Sequence, residues 1–301
     1  MMEIDQTFLQ LFKYSGLSSG TYLYVFIAVV SYRTWLSDGS QHPQGLLLFS
    51  IGLSNAIFEG YHLIYDILLD IEPGDLSDFN VCTVFMFCLS LSCIFFGVCQ
   101  ISMLCSFYCI KLISSQHWII QVLKSRLPST LPWIISGAVV MSIVVLVVSF
   151  GLIFIWVPVD DDNSTFCKAI LDNSDFIAIT LTLTSINYLV ALPFCLILVS
   201  LSCTTFSLIQ HVRRTISLDR SHLEAHIDAT KTMILLLTLN TSFYVSKLVK
   251  ELGVLSYPLD LICEVLYYLF WPLQALTLIF RTKKLHRSFI WCLHRRSSEQ
   301  M

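Results

Sequence analysis

Polar and apolar positions along this chain separate into long blocks rather than alternating residue by residue. Seven apolar runs, at about residues 7–31, 45–69, 82–113, 131–157, 176–210, 230–252 and 258–280, are each long enough to cross a hydrocarbon core about 30 Å thick as a helix. The joining segments are short and hold most of the charge. This pattern predicts an all-α membrane protein, a seven-transmembrane helix bundle formed as one domain over residues 1–301, with 281–301 as a cytoplasmic amphipathic tail. Composition agrees: with 55% hydrophobic and 13% charged residues, polar surface is too scarce to cover a water-soluble globule of this size. The opening MMEIDQ has neither a basic n-region nor a small-residue cleavage site, so the first run is expected to serve as its own insertion signal.

Charge adds an orientation. Fourteen of the eighteen basic residues fall after the first, third, fifth and seventh runs, ending in the cluster Arg281, Lys283, Lys284, Arg287, Arg295 and Arg296. The opposite loops are acidic: Glu3 and Asp5, then DIEPGDLSD after the second run and DDDNSTF after the fourth. By the positive-inside rule the N-terminus is extracellular and the C-terminus cytoplasmic. Asn163, in Asn163-Ser164-Thr165, is a glycosylation acceptor on the side just assigned to the exterior. The second such triplet, at Asn240, falls within an apolar run and is read as chance. Most of the eleven cysteines sit in apolar runs, where a thiol behaves as a small hydrophobe. Cys167 lies in an outer loop, with Cys82 or Cys88 as a partner within reach, and Cys292 in the basic tail is a palmitoylation candidate.

Candidate chemistry is sparse. Nucleophile-elbow, phosphate-loop and H-E-x-x-H motifs are all missing, so no enzymatic activity and no cofactor is expected. His222 and His226 share a helix face but lack a third ligand, and no metal site is read there. Ionisable residues inside membrane helices are costly unless they face a cavity or a partner, which makes them functional candidates. The second run carries Asn55, Glu59, His62 and Asp66; the sixth, Asn240, Tyr244, Lys247 and Glu251; the seventh, Glu264 above Tyr267, Tyr268 and Trp271. Pro193 and Pro272 are candidate kinks.

Four segments carry a family resemblance. FYCIKLISSQHWIIQVLKSRL (107–127) resembles the aromatic pair, lysine and L-K-x-R of the type 2 taste receptors, the bitter receptors. LPFCLILVSLSCTTFSLIQHVRRT (192–215) is similar to their P-F opening and serine-leucine repeats. EAHIDATKT (224–232) resembles their K-A-H-V-x-A-L-K, and LTLIFRTKKLHRSF (276–289) their L-I-x-x-N-x-K-L-K. Asn55 stands where the family has an arginine, Gln274-Ala275 where it has H-S, and Thr282 where it has asparagine, as expected of a divergent, non-mammalian member.

The resemblance implies a G-protein-coupled receptor of the plasma membrane that binds a small-molecule agonist and engages a heterotrimeric G protein of the gustducin or inhibitory type. It implies ligand contacts at Glu264, Cys99 and Met103, to which Tyr267, Tyr268, Gln100, Tyr244, Lys247 and Glu59 are added as candidates. The coupling face would comprise Tyr108, Lys111, His211, Arg213, Arg214, Ala225, His226 and Ala229. Two other readings stand beside it. One is a vomeronasal-type pheromone receptor; the other is a small transporter or channel relaying ions through Glu59, Asp66 and Glu264.

Overall fold

The computed structural model describes residues 2–38, 43–71, 80–112, 118–156, 220–251 and 257–299, together with isolated positions 195, 198, 199, 202 and 206. Every element among them is a helix: α1 (Met2–Asp38), α2 (Pro43–Ile71), α3 (Asn80–Leu112), α4 (Trp118–Trp156), α5 (Arg220–Glu251), α6 (Tyr257–Arg281) and α7 (Lys283–Glu299). Helices α1 to α4 correspond to the first four apolar runs, α5 and α6 to the sixth and seventh, and α7 to the basic tail. Most of the fifth run lies outside the described residues.

Four segments are long and apolar enough to cross a membrane, namely Pro43–Ile67, Cys88–Ile110, Lys124–Gly151 and Leu261–Arg281. α1 and α5 are more polar, and both are packed onto spanning helices: α1 against α2 and α6, α5 against α6. α3 joins α2 to α4. α4 shows apolar side chains almost all round, with Trp133, Val140, Ile143 and Val147 exposed, as a helix solvated by lipid should.

α4 begins at Trp118, well before the expected start near 131, and runs through Pro128 and Pro132. Side-chain hydroxyls support this turn: Ser129 donates to the Arg126 carbonyl at 2.8 Å, Thr130 to the same carbonyl at 3.1 Å, and Ser136 to that of Pro132 at 2.9 Å. These bonds add to the backbone ladder around two prolines whose missing N–H groups would otherwise serve the Lys124 and Pro128 carbonyls, a continuation that apolar periodicity alone does not reveal.

With no hydrophobic drive between helices in lipid, close packing and polar contacts hold the bundle. α1 and α2 meet at Gly52, where an added Cβ would lie 2.6 Å from the Ala28 nitrogen and 2.9 Å from the Tyr24 carbonyl oxygen. α1 and α6 meet at Gly16, where a Cβ would lie 2.9 Å from the Tyr268 carbonyl oxygen. Between α3 and α4, Ser92 donates to the Ser142 carbonyl at 2.6 Å while Ser142 returns a bond to the Ser92 carbonyl at 2.9 Å. Gln100 of α3 is fully buried; its carbonyl oxygen accepts from Ser54 at 2.9 Å and its amide donates to Ser50 at 3.2 Å.

Polar ties also gather towards the end that carries α7. The buried Tyr24 donates to Gln274 Oε1 at 2.5 Å, joining α1 to α6. Lower down, Gln44 donates to the Tyr108 hydroxyl at 3.2 Å, and the Thr282 side chain lies beside the same hydroxyl. That one phenol therefore connects the start of α2, the end of α3 and the α6–α7 corner. The corner is a bend at Thr282 with helical bonds on both sides, Thr282 N to Leu278 O and His286 N to Thr282 O. α7 docks through buried Leu285 and through Phe289, whose ring lies 5.5 Å from Phe26 and 6.1 Å from Phe280.

Candidate ligand-binding site

The half of the bundle away from α7 is built around aromatic rings. On α6, Glu264, Tyr267, Tyr268 and Trp271 follow at spacings of three, one and three, which puts them on one face of the helix. Trp271 is 5% exposed and meets Phe58 of α2 at 5.1 Å and Phe243 of α5 at 5.6 Å between ring centroids. Phe243 stacks on Tyr267 at 5.3 Å and reaches Phe270 at 4.3 Å. Three helices thus converge on one group of rings. Pro272 follows directly in α6 and has no N–H to donate to the Tyr268 carbonyl, so the backbone lacks one helical hydrogen bond beside the convergence.

A polar rim surrounds this group. His62 of α2 lies edge-on to Phe58 at 4.5 Å and shares a 2.9 Å hydrogen bond with Ser90 of α3. Nearer the helix ends, Lys13 of α1 pairs with Asp66 of α2 at 3.0 Å, and the Tyr14 hydroxyl donates to the Asp66 carbonyl at 3.4 Å. Tyr268, edge-on to Tyr267 at 5.4 Å, has the Glu264, Asp66 and Tyr14 groups within electrostatic reach. Glu264 itself is half-buried. Chemically, the arrangement offers ring faces to an apolar body and a carboxylate with phenols to a cationic or hydrogen-bonding group.

The residues singled out from sequence are distributed unevenly around this group. Tyr267 lies in it and Tyr268 and Glu264 border it, while Cys99 and Met103 are half-buried on α3 against the core cluster. Gln100 is held by the two α2 serines rather than turned towards the rings. Tyr244 and Lys247 belong to α5, with side chains outside the described residues. Glu59 is fully buried on the α1 side of α2, against Gly20. Phe58, Phe243 and Lys13 take part although sequence reading did not select them.

On the opposite end, Tyr108 takes part in the junction already described, and Ala225, His226 and Ala229 fall on α5 with side chains outside the described residues, as is that of Lys111 on α3. His211, Arg213, Arg214, Asn163 and Cys167 lie outside the described residues altogether. Cys88 is a buried free thiol and Cys292 an exposed one on α7. Asn240 is buried and donates to the Leu236 carbonyl at 2.7 Å, a placement no glycosylating enzyme can reach.

Comparison with known proteins covers nearly all of the chain. Residues 1–297 match the model of the family described as Taste receptor protein (TAS2R). Taste receptor type 2 member 41 of Mus musculus is 29% identical over 74% of this chain and 74% of its own length. The member 41 protein of Gorilla gorilla gorilla is 25% identical over 88% of both chains. Taste receptor type 2 member 4 of Papio hamadryas is 26% identical over 77% of this chain and 78% of its own.

Proposed function

Since this chain belongs to the taste receptor protein family (TAS2R) and is a multi-pass membrane receptor of the bitter-taste type, we propose that it is a seven-span receptor of the plasma membrane, with its N-terminus outside. In this reading it recognises small amphipathic molecules at the aromatic convergence of α2, α5 and α6 and signals to a gustducin- or inhibitory-type G protein. The observation that carries the reading is the ring group Phe58, Phe243, Tyr267 and Trp271, bordered by Glu264 and Tyr268. Apolar walls with few polar anchors suit broad recognition at modest affinity.

A ligand can act at a distance only by binding one helix arrangement better than another. Here the ring group shares α6 with the polar junction, since Tyr267 and Trp271 precede Pro272, while Gln274 and Thr282 follow it. Wedging Trp271 away from Phe58 or Phe243 would rotate the lower part of α6 about Pro272, strain the Tyr24–Gln274 bond and shift Thr282 against Tyr108. Loosening that junction would make the coupling candidates Lys111, His211, Arg213, Arg214, Ala225, His226 and Ala229 available to the G protein.

Glu264→Gln tests the polar anchor. The amide keeps shape and hydrogen bonding but removes the charge, so potency for cationic agonists is expected to fall about tenfold, equivalent to about 1.4 kcal/mol, with neutral agonists little changed. Concentration–response curves in cells bearing a taste-type G protein would measure it. Equal potency for every agonist would remove Glu264 from the site.

A further inference from the structure

Glu59 is the one described carboxylate that is both fully buried and without a hydrogen-bond partner at either oxygen among the described residues. Its carboxyl group lies directly on Gly20 of α1: a Cβ added to Gly20 would overlap it. Glycine at that place lets α1 lie directly on the carboxyl. A carboxylate anion so enclosed would have no counter-charge among the described residues, and its desolvation would cost several kcal/mol. A neutral carboxylic acid avoids most of that cost.

Among the described residues, the surroundings supply no cation to change the outcome. On α1, Lys13 lies two turns above Gly20 and is paired with Asp66, while Tyr14 and Tyr24 present phenols, the second already bonded to Gln274. On α2 itself, His62 is bonded to Ser90 and Asp66 to Lys13. On α6, Tyr267 lies within electrostatic reach of Glu59 and Tyr268 stands beside Tyr267, and both bring phenols rather than positive charge. α3, packed on α2, carries the thiol of Cys93 between Ser90, which His62 reaches, and Gln100, which Ser54 reaches.

We propose that Glu59 is a proton-binding site: the α1–α2 seam closes over its neutral carboxylic acid, and the proton leaves only when that seam opens to water. The closed seam then holds a proton that an opened chain at neutral pH does not. Closure is consequently favoured by acid and weakens as pH rises above the ordinary carboxylate range near about 4.3. Any rearrangement of α1 against α2 inherits this dependence on acidity, in whichever direction ligand binding drives it.

The test uses the full-length receptor in nanodiscs of neutral lipid. Infrared spectra at neutral pH should contain a carboxylic-acid C=O band that disappears in Glu59→Gln. Thermal midpoints of the wild type and of Glu59→Gln, followed from about pH 5 to about pH 8, should separate steadily with rising pH, the variant being the more stable. Glu59→Met, which has similar length and no polar group, should also fold and reach the cell surface, because the acid makes no bond that needs replacing. Parallel pH curves, or an acid band indifferent to Glu59→Gln, would overturn the proposal. So would failure of both variants to reach the surface, since that would mean the side chain serves as an ionised anchor.

Discussion

Trp271→Ala is expected to cost about 3 kcal/mol or more in bundle stability and to remove most receptor from the cell surface, the range seen when a large buried aromatic is truncated. The ring is 5% exposed and links α2 to α5 through Phe58 and Phe243, with Phe270 a further 4.9 Å contact beside it. Lipid tails solvate apolar side chains well, so the loss is chiefly of packing rather than of burial from water. Trp271→Phe keeps part of the contact and should retain surface expression while altering agonist preference. Thermal unfolding of the detergent-solubilised variants measures the difference. A change of less than about 1 kcal/mol for alanine would mean that Trp271 lines a space rather than joining three helices.

Gly52→Leu is expected to abolish surface expression. At this position even the first side-chain carbon would lie 2.6 Å from the Ala28 nitrogen and 3.0 Å from its Cα, and backbone atoms within a helix cannot move aside singly. The two helices would have to separate, and Tyr24, whose hydroxyl joins α1 to Gln274, would move with them. Overpacking of this kind costs about 1–3 kcal/mol or more. Two other glycines serve as controls. A Cβ at Gly60, on the same helix, meets only the Thr21 methyl at 3.8 Å, and one at Gly137 meets nothing within 4 Å. Gly60→Ala and Gly137→Ala should therefore traffic as the wild type does, as counted by surface labelling. Normal trafficking of Gly52→Leu would contradict the close approach of α1 and α2.

Much of the architecture was legible in the blocks of apolar residues, because a helix crossing lipid must be both long and uniformly apolar. Each of the six runs that falls within the described residues coincides with a helix. Ends were less legible. Helix α4 extends back to Trp118 because a helix continuing past the membrane needs no further apolar residues, only satisfied backbone groups.

At the candidate site, the residues chosen on α5 followed the polar stripe of Asn240, Tyr244 and Lys247. Among the described side chains of α5, burial follows Met233, Leu236, Asn240 and Phe243, at spacings of three, four and three, while those of Tyr244 and Lys247 lie outside the described residues. That second stripe was present in the sequence, but in a run apolar on every side a stripe of hydrophobes does not stand out. The Lys13–Asp66 pair had a clearer signal. In two antiparallel helices joined by a short turn, residues equally far from the turn lie level, and both Lys13 with Asp66 and Gly20 with Glu59 satisfy this. Glu59 was selected from sequence for the expense of a charge in lipid, but which helix covered it could not be read without that counting.

The central claim is that the chain is a bitter-type receptor acting through a G protein. Its most direct measurement is calcium release in cells that carry the receptor and a promiscuous taste-type G protein, exposed to a panel of bitter compounds. The account predicts concentration-dependent responses to one or more of them, absent from cells without the receptor and reduced for cationic agonists by Glu264→Gln. Silence across the panel, from receptor present at the cell surface, would contradict it.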